Sequence, residues 1–164
     1  DSIDEVYIAI GKKLSLFELI YIKKEDRKDF EMVDFDYIKN VALFAKHCGA
    51  KSVALVSAIG ANNKSSNIYL NVKGKIEKEI MSLGFKKVVI AQPSHLLGKR
   101  PDEQTNYLIS LFENITNILG NLMIGPLKKY RNISAAQVAN SLVSKMSSDD
   151  DGVYVLDFEN FKNQ

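Results

Sequence analysis

Three short, continuously apolar runs constrain the fold of this chain more than any other feature. They cover residues 6–10, 53–56 and 88–91, and none shows the alternation of polar and apolar residues that marks a half-exposed strand. Strands without that alternation are buried on both faces, which is typical of a parallel sheet covered by helices. Segments with helical spacing lie before and after the second run, so the order predicts consecutive βαβ units. The predicted fold class is therefore α/β.

The two helices beside the second strand are predicted from apolar residues that recur every three or four positions. One covers residues 38–45 and the other covers residues 68–83. Either Ser65 or Ser66 is expected to cap the second helix, because a serine hydroxyl can accept a hydrogen bond from a free N–H in the first turn. Gly84 is expected to end that helix.

The rest of the chain gives weaker patterns. Residues 12–31 run into a charged stretch and are interpreted as a long, partly ordered connection. The elements predicted after residue 98 are helices over 103–122 and 134–146, a turn at 147–152 and a short strand at 153–156. One domain in two parts is expected: residues 1–98 hold the sheet, and residues 99–164 form a small, mostly helical C-terminal lobe beside it.

Composition argues against several classes of partner and site. The 164 residues carry 22 Lys and Arg against 20 Asp and Glu, a net charge of +2, so no basic field predicts binding to nucleic acid. No apolar run approaches the roughly 18 residues of a membrane helix, so no membrane partner is predicted. The single cysteine, Cys48, fits a reducing compartment, which predicts a cytoplasmic protein. His47 and His95 lack further ligands at metal spacing, so no metal site is predicted.

The spacing of the glycines bears on the completeness of the predicted domain. Many α/β nucleotide-binding domains begin with a strand that runs into a Gly-rich phosphate turn. Here no two of the nine glycines are closer than five positions. The chain is therefore expected to be the later portion of a larger domain that has its Gly-rich half upstream. The alternative is a small three-stranded α/β module that binds no nucleotide.

Tyr69 and Lys73 are the first candidates for chemistry. Four positions apart, they lie on the same surface of the predicted helix, where an ammonium would stabilise a phenolate and lower its pKa. A phenol with a lowered pKa is a usable general acid or base. Ser57 ends the second strand, at the edge where α/β sheets bind ligands, and could hydrogen-bond the same substrate oxygen. Spacing alone does not separate this hypothesis from an amphipathic helix that carries an ordinary surface lysine.

The stretch around these residues carries a family resemblance. Residues 56–77 are VSAIGANNKSSNIYLNVKGKIE, and this run resembles the atypical short-chain dehydrogenase/reductases. Within them it is most similar to the Tat-interacting-protein-like oxidoreductases, a branch labelled nucleoside-diphosphate-sugar epimerases in bacteria. The likeness extends to VDFDY at 33–37, QPSHLLGKR at 92–100 and RNIS at 131–134, and it spans about residues 3–146.

The resemblance implies a Rossmann-like, doubly wound parallel sheet that binds NAD or NADP. Hydride would pass between the nicotinamide and a small-molecule carbonyl or alcohol, with the C-terminal lobe on the substrate side. By the same resemblance, Tyr69 is the catalytic acid/base, and Lys73 lowers its pKa and contacts the nicotinamide ribose. Gly11 lies beside the cofactor, Pro93 and Ser94 border the nicotinamide, and a homodimer is an open expectation. Ser57 is expected to be both a catalytic and a cofactor-binding residue.

The chain departs from the family pattern at three places. Ala58 stands where the family usually has a second serine, so Ser65 or Ser66 is an alternative to Ser57 as the participating hydroxyl. Asp34 falls where many relatives of the wider superfamily have an asparagine that supports a proton relay. The stretch between Gly11 and residue 33 is longer than expected. These departures leave a second hypothesis open, a catalytically inactive dinucleotide-binding regulator or scaffold.

Overall fold

A sheet of four parallel strands forms the centre of the protein. The computed structural model describes residues 2–94, 96–97 and 133–162. The strands are β1 (Glu5–Ile8), β2 (Ser52–Val56), β3 (Lys87–Ala91), β4 (Leu96–Leu97), β5 (Ile133–Ser134) and β6 (Gly152–Leu156). The main sheet has the order β1-β2-β3-β6, while β4 and β5 form a separate parallel pair. The predicted α/β class and parallel sheet are confirmed.

Within the described residues, six helices and one π-helical segment accompany the strands. The helices are α1 (Leu16–Ile20), α2 (Arg27–Glu31), α3 (Ile38–His47), α4 (Ile68–Ser82), α5 (Ala135–Met146) and α6 (Phe158–Lys162). The π segment Met32–Tyr37 joins α2 to α3 without a break in the helical backbone. Gly84 has φ +74°, a left-handed conformation typical of the residue after a helix, as predicted.

The sheet is covered on both faces, because alternate residues of a strand point in opposite directions. Val53 and Leu55 of β2 share a core with α3 and α4. Ala54, the residue between them, shares a core with α5 and α6 on the other face. This arrangement is the doubly wound sheet that the sequence predicts.

Strand β1 differs from its prediction as a fully buried strand. Ile8 is buried, but Tyr7 is 42% exposed and Ile10, just after the strand, is 37% exposed. Among the described residues β1 pairs only with β2, so it lies at an edge of the sheet. Its apolar side chains therefore lack the second neighbour that covers those of β2 and β3.

Asn67, not Ser65 or Ser66, caps helix α4. Its side-chain oxygen accepts a hydrogen bond from the Leu70 N–H at 3.0 Å. Its amide nitrogen donates to the carbonyls of Leu19 and Ile20 at 2.9 and 3.1 Å. The Asn67 amide has two N–H donors besides its oxygen, so it can meet two carbonyls of α1 while it caps α4; a serine hydroxyl has one donor.

Residues 12–31 are more regular than the partly ordered connection expected from the sequence. Ser15 and Glu18 form a capping box on α1, and a turn then leads into α2. Ile22 and Phe30 are buried in a small cluster with Val72 of α4. Because charged residues separate Ile22 from Phe30 in the sequence, the pattern did not predict that these two residues are buried.

The C-terminal segment contributes to the main sheet. Within the predicted lobe 99–164, residues 133–162 supply α5, which packs on the sheet, and β6, which pairs with β3. The predicted helix at 103–122 lies outside the described residues. The boundary near residue 98 stays a prediction.

A close approach of two backbones fixes the loop after β2 against α4. A Cβ on Gly74 would overlap the backbone nitrogen of Asn63 and the carbonyl carbon of Asn62. The Asn62 N–H also donates to the Leu70 carbonyl at 3.0 Å. Position 74 therefore requires glycine, because a side chain there would collide with the backbone of the loop. This requirement holds although glycine inside a helix lowers stability by about 1 kcal/mol relative to alanine.

We expect Gly74→Ala to destabilise the protein by about 1–3 kcal/mol, because the added methyl group meets backbone that cannot move aside easily. The measurement is the free energy of unfolding in denaturant. Lys78→Ala, at an exposed position of the same helix, is the matched control and should change stability little. A Gly74→Ala variant as stable as the wild type would show that the loop does not rest on the helix backbone.

Candidate functional site

The predicted site residues lie where the parallel strands end. Gly11 follows β1, Ser57 follows β2, and Pro93 follows β3. Parallel strands present their carboxyl ends at one edge of the sheet, which is where open α/β sheets bind ligands. Helix α4 adds Tyr69 and Lys73, one turn apart.

A buried ion pair is the centre of this region. The Lys73 Nζ lies 2.8 Å from the Asp34 Oδ1, and both side chains are at least nine-tenths buried. The second oxygen of Asp34, Oδ2, accepts a hydrogen bond from the backbone N–H of Lys12 at 2.7 Å. The pair therefore joins helix α4, the π segment and the backbone that follows β1.

Gly11 lies against this ion pair. A Cβ at Gly11 would lie 3.3 Å from the Asp34 Oδ1 and 3.8 Å from the Lys73 Nζ. The first distance is tighter than an ordinary van der Waals contact, so a larger residue would push on the carboxylate. The structure thus brings together Gly11 and Lys73, two of the residues predicted to border a cofactor.

The environment of Tyr69 is mainly apolar. Its ring packs against Phe30, with 6.0 Å between ring centroids, and it borders the cluster that contains Ile22 and Val72. Burial, followed by the negative charge of Asp34, raises the pKa of Tyr69 to about 12.

The predicted lowering of the Tyr69 pKa is therefore wrong for this structure. The prediction rested on the positive charge of Lys73 alone. In the fold, the Asp34 carboxylate pairs with that ammonium and offsets its field at the phenol. Sequence spacing identified the lysine but not the carboxylate that neutralises it.

Ser57 and Glu77 continue the polar region along α4. Glu77 is buried, and the amide nitrogen of Gln92 donates to its two carboxylate oxygens at 2.9 and 3.0 Å. Burial raises the pKa of Glu77, while the Ser57 hydroxyl, Gln92 and the charge of Lys73 act to lower it. The Ser57 Oγ is buried near enough to Glu77 to favour its charged form, although among the described residues it makes no hydrogen bond of ordinary geometry.

The alternative hydroxyls have other surroundings. The Ser65 Oγ accepts a hydrogen bond from the Asn67 N–H at 3.2 Å, so it helps to shape the start of α4. Ser66 is exposed. Of the three serines, Ser57 is the one whose hydroxyl is buried beside the polar region.

Pro93 and Ser94 lie in the turn after β3. Pro93 is buried, and its carbonyl accepts a hydrogen bond from the Ile59 N–H at 2.9 Å. Ser94 is half-buried. The loops after β2 and β3 are thus tied together at the sheet edge, which places both beside Ser57.

Sequence reasoning missed Glu77 and Gln92 and treated Asp34 only as a departure from a family pattern. A signal for Glu77 was present, since Tyr69, Lys73 and Glu77 are spaced by four residues and share one helix face. No comparable signal marks Gln92 or Asp34. Their contacts join parts of the chain that are far apart in sequence.

A separate apolar cleft lies on the α5 side of the sheet. It has a volume of about 320 Å³ and is lined by residues such as Ile8, Val56, Val138 and Leu142. A ligand-binding pocket usually adds a few convergent polar groups to its apolar lining. Of the described residues that line this cleft, Tyr7 alone has a polar side-chain group, so the polar region at the strand ends is the better candidate site.

The sequence is similar to curated fungal proteins. It is 37% identical over 100 residues to "Protein FMP52-1, mitochondrial" of Scheffersomyces stipitis, covering 61% of this chain and 39% of that protein. It is 32% identical over 133 residues to "Protein FMP52, mitochondrial" of Debaryomyces hansenii, covering 78% and 57%. The matched part of the chain thus spans 39% of the length of the first relative and 57% of the length of the second. No family model matches the chain.

These relatives correct one expectation. Their names place them in mitochondria, and the same name recurs for the proteins of Candida glabrata and Candida albicans. The predicted cytoplasmic location is therefore contradicted. A lone cysteine is compatible with several compartments, so it could not decide the location. Within the described residues, no helix has the length and apolar character needed to span a bilayer.

Solved structures share the fold. The UDP-N-acetylglucosamine 4-epimerase of Methanobrevibacter ruminantium, solved with UDP-N-acetylmuramic acid, superposes with a TM-score of 0.64 at 18% identity, covering 94% of this chain and 55% of its own. MoeE5, solved with UDP-glucose and NAD, gives a TM-score of 0.65 at 14% identity, covering 93% and 55%. The chain therefore has the Rossmann-like fold of these proteins.

The ion pair leads to a stability prediction. Lys73→Met leaves the Asp34 carboxylate buried without its partner, which should cost about 3–5 kcal/mol of unfolding free energy. The double variant Asp34→Asn, Lys73→Met removes both charges and should recover most of that loss. Chemical denaturation of the wild type, both single variants and the double variant gives the coupling energy. A double variant as unstable as the sum of the single variants would contradict a buried pair.

Glu77 predicts a pH dependence. Its pKa is raised above the ordinary value of 4.5, so the folded protein binds the proton more tightly than the unfolded chain. The stability of the wild type relative to Glu77→Gln should therefore fall as the pH rises from about 4.5 to above the folded pKa. Unfolding free energies measured across that range test this. Glu79→Gln, on the same helix but at a surface pair with Lys39, controls for the loss of one charge.

Proposed function

We propose that this chain carries the proton-transfer half of an NAD(P)-dependent oxidoreductase or epimerase of the short-chain dehydrogenase/reductase type, in which Tyr69 is the general acid/base. The observation that supports this most is that the buried Lys73, one turn from Tyr69 on α4, lies beside Gly11 at the carboxyl edge of a parallel sheet. The substrate would be a small-molecule carbonyl or alcohol. As part of the same proposal, the chain belongs to the Tat-interacting-protein-like branch of that family.

The residues present are compatible with a dinucleotide at this edge. An ammonium has three donors, and the pair with Asp34 uses one of them, so Lys73 retains capacity to bind ribose hydroxyls. The buried Ser57 hydroxyl faces Glu77, and its oxygen can still accept a hydrogen bond. Gly11 leaves its side of the ion pair free of a side chain. Two solved proteins with this fold, MoeE5 and the UDP-glucuronic acid 4-epimerase of Bacillus cereus, contain NAD.

The 164 residues hold no Gly-rich phosphate turn of the kind that cradles a pyrophosphate. The proposal therefore gives this chain the part that meets the nicotinamide end and the reacting substrate. NAD and NADP are equally compatible with these residues. The contacts that separate the two dinucleotides are made at the adenosine ribose.

A bound reduced nicotinamide would supply a hydride to the carbonyl carbon of a substrate. Tyr69 would donate its phenolic proton to the carbonyl oxygen, where negative charge develops, and the phenolate would then regain a proton from water. Ser57 would donate a hydrogen bond to the same oxygen. Lys73 would orient the ribose through its remaining ammonium donors.

A second function, a dinucleotide-binding regulator without turnover, has support from two observations. Ala58 replaces the second serine of the family pattern, and the Tyr69 pKa of about 12 leaves almost no phenolate near neutral pH. The two functions agree on binding and differ on chemistry. A single series of measurements therefore separates them.

We expect Tyr69→Phe to abolish turnover in the full-length protein and to leave dinucleotide affinity within about twofold, because only the transferable proton is removed. NADH and NADPH binding is followed by fluorescence titration, and consumption is followed across a panel of aldehydes, ketones and nucleotide sugars. Tyr37→Phe, which removes a hydroxyl from an exposed tyrosine, is the matched control. Binding without consumption by the wild type would favour the regulator, and turnover retained by Tyr69→Phe would refute the acid/base role.

A further inference from the structure

We propose that Glu77 is a positioning residue: it holds the Gln92 side chain, fixes the turn after β3 against helix α4, and so sets the affinity of the site for a dinucleotide. The proposed function places Pro93 and Ser94 of this turn beside the nicotinamide, so the statement about affinity rests on that function. The statement about the turn rests on contacts within the protein and can be tested without any ligand.

The contact between the two side chains is bidentate and buried. The Gln92 Nε2 donates to the Glu77 Oε1 at 2.9 Å and to the Oε2 at 3.0 Å. Glu77 is 7% exposed. A carboxylate that has left water needs donors in its place, and a hydrogen bond to a charged acceptor is stronger than one between neutral groups. The two side chains therefore hold each other in place.

The backbone of the turn is held from two other directions. The Gln92 N–H donates to the Leu156 carbonyl of β6 at 2.8 Å, and the Ile59 N–H donates to the Pro93 carbonyl at 2.9 Å. The first bond ties the turn to the neighbouring strand, and the second ties it to the loop after β2. Proline has no N–H to donate, so the side chain before it carries more of the attachment. That side chain is the one that reaches α4.

The same face of α4 reaches both sides of the site. Lys73 pairs with Asp34, whose other oxygen accepts the backbone N–H of Lys12 after β1. Glu77, one helical turn further along, reaches the segment after β3 through Gln92. In the sheet, β1 and β3 lie on either side of β2. One helix face thus joins the chain segments on both sides of the crevice.

The consequence for ligand binding is a split between affinity and chemistry. When one wall of a site loosens, the fraction of molecules that is competent to bind falls, and the apparent Kd rises in proportion. Tyr69 and Lys73 keep their own contacts when the turn loosens, so the reaction of bound substrate should change less. A residue that served only global stability would change neither Kd nor KM at a temperature where all variants are folded.

The first test is amide hydrogen exchange, followed by NMR in the full-length protein without ligand. Gln92→Met keeps the length of the side chain and removes both donors. It should speed exchange of the Ile59 N–H, which bonds to the Pro93 carbonyl, by about tenfold or more, because that bond opens whenever the turn moves away. The Ala50 N–H, before β2 at the amino ends of the strands, should exchange at the wild-type rate.

A swapped pair keeps the test decisive if Gln92→Met folds poorly around an unpaired carboxylate. Glu77→Gln, Gln92→Glu puts the amide on α4 and the carboxylate on the turn, so the same type of bond forms in reverse. Its Ile59 exchange should be within about threefold of the wild type, because the bond is charge-assisted in either orientation. Gln92→Glu alone sets two carboxylates together and should exchange much faster.

Two results would overturn the attachment of the turn. One is a Gln92→Met protein with native circular dichroism and unchanged exchange of the Ile59 N–H. The other is a swapped pair that exchanges as fast as Gln92→Glu alone. Glu79→Gln makes the same chemical change as Glu77→Gln on the same helix, at a surface pair with Lys39, and should leave the exchange unchanged.

Dinucleotide binding gives a second, separable readout. In Gln92→Met the Kd for NADH or NADPH, measured by fluorescence titration, should rise by about tenfold, and the swapped pair should recover most of that loss. If the protein turns over, the KM for the dinucleotide should rise in parallel, while kcat at saturating dinucleotide stays within about threefold. Glu79→Gln should match the wild type in both measurements.

The outcomes distinguish this inference from the proposed function. A wild type that binds neither dinucleotide would refute the proposed function and the statement about affinity with it, while the exchange rates still decide whether Glu77 holds the turn. Faster Ile59 exchange with an unchanged Kd would show that the turn does not border the dinucleotide, which overturns the positioning role. A fall in kcat with unchanged KM would overturn it as well.

Discussion

The buried pair between Lys73 and Asp34 is the interaction on which the candidate site depends. It connects helix α4, the π segment before α3 and the backbone after β1, three parts of the chain far apart in sequence. Two ions removed from water are stable only when each keeps a partner, so the pair fixes these elements relative to one another. The position of the Lys73 ammonium beside Gly11 follows from that constraint. So does the electrostatic setting of Tyr69.

A second set of contacts holds the N-terminal half of α4 in place. These contacts are close packing and hydrogen bonds rather than an ion pair. Gly74 lets the backbone of the loop after β2 lie directly on the helix, and Asn67 joins the start of α4 to the end of α1. The Phe30 ring packs against the Tyr69 ring. These contacts hold the helix that carries Tyr69 and Lys73 against the loop after β2, α1 and α2.

The sequence was sufficient for the architecture because its signals there are local. Apolar runs predicted β2 and β3, and helical spacing predicted α3, α4 and α5. The same logic failed for residues 12–31, where Ile22 and Phe30 are buried between charged residues that suggested solvent. At the site, spacing along one helix identified Tyr69 and Lys73. Burial of the ring raises the pKa of the phenol, and the Asp34 carboxylate, which approaches from another element, adds to that effect. No local pattern reports such a contact, so the sign of the pKa shift could not be read from the helix alone.

Asp34 also changes what the resemblance to short-chain dehydrogenase/reductases implies. An asparagine at this position is neutral and leaves a neighbouring lysine with its full charge, which would favour a phenolate. An aspartate of nearly the same shape accepts the same backbone N–H but brings a charge that offsets the lysine. The fold, the helix and the tyrosine can therefore be shared, while the charge near the phenol differs through one residue on another element.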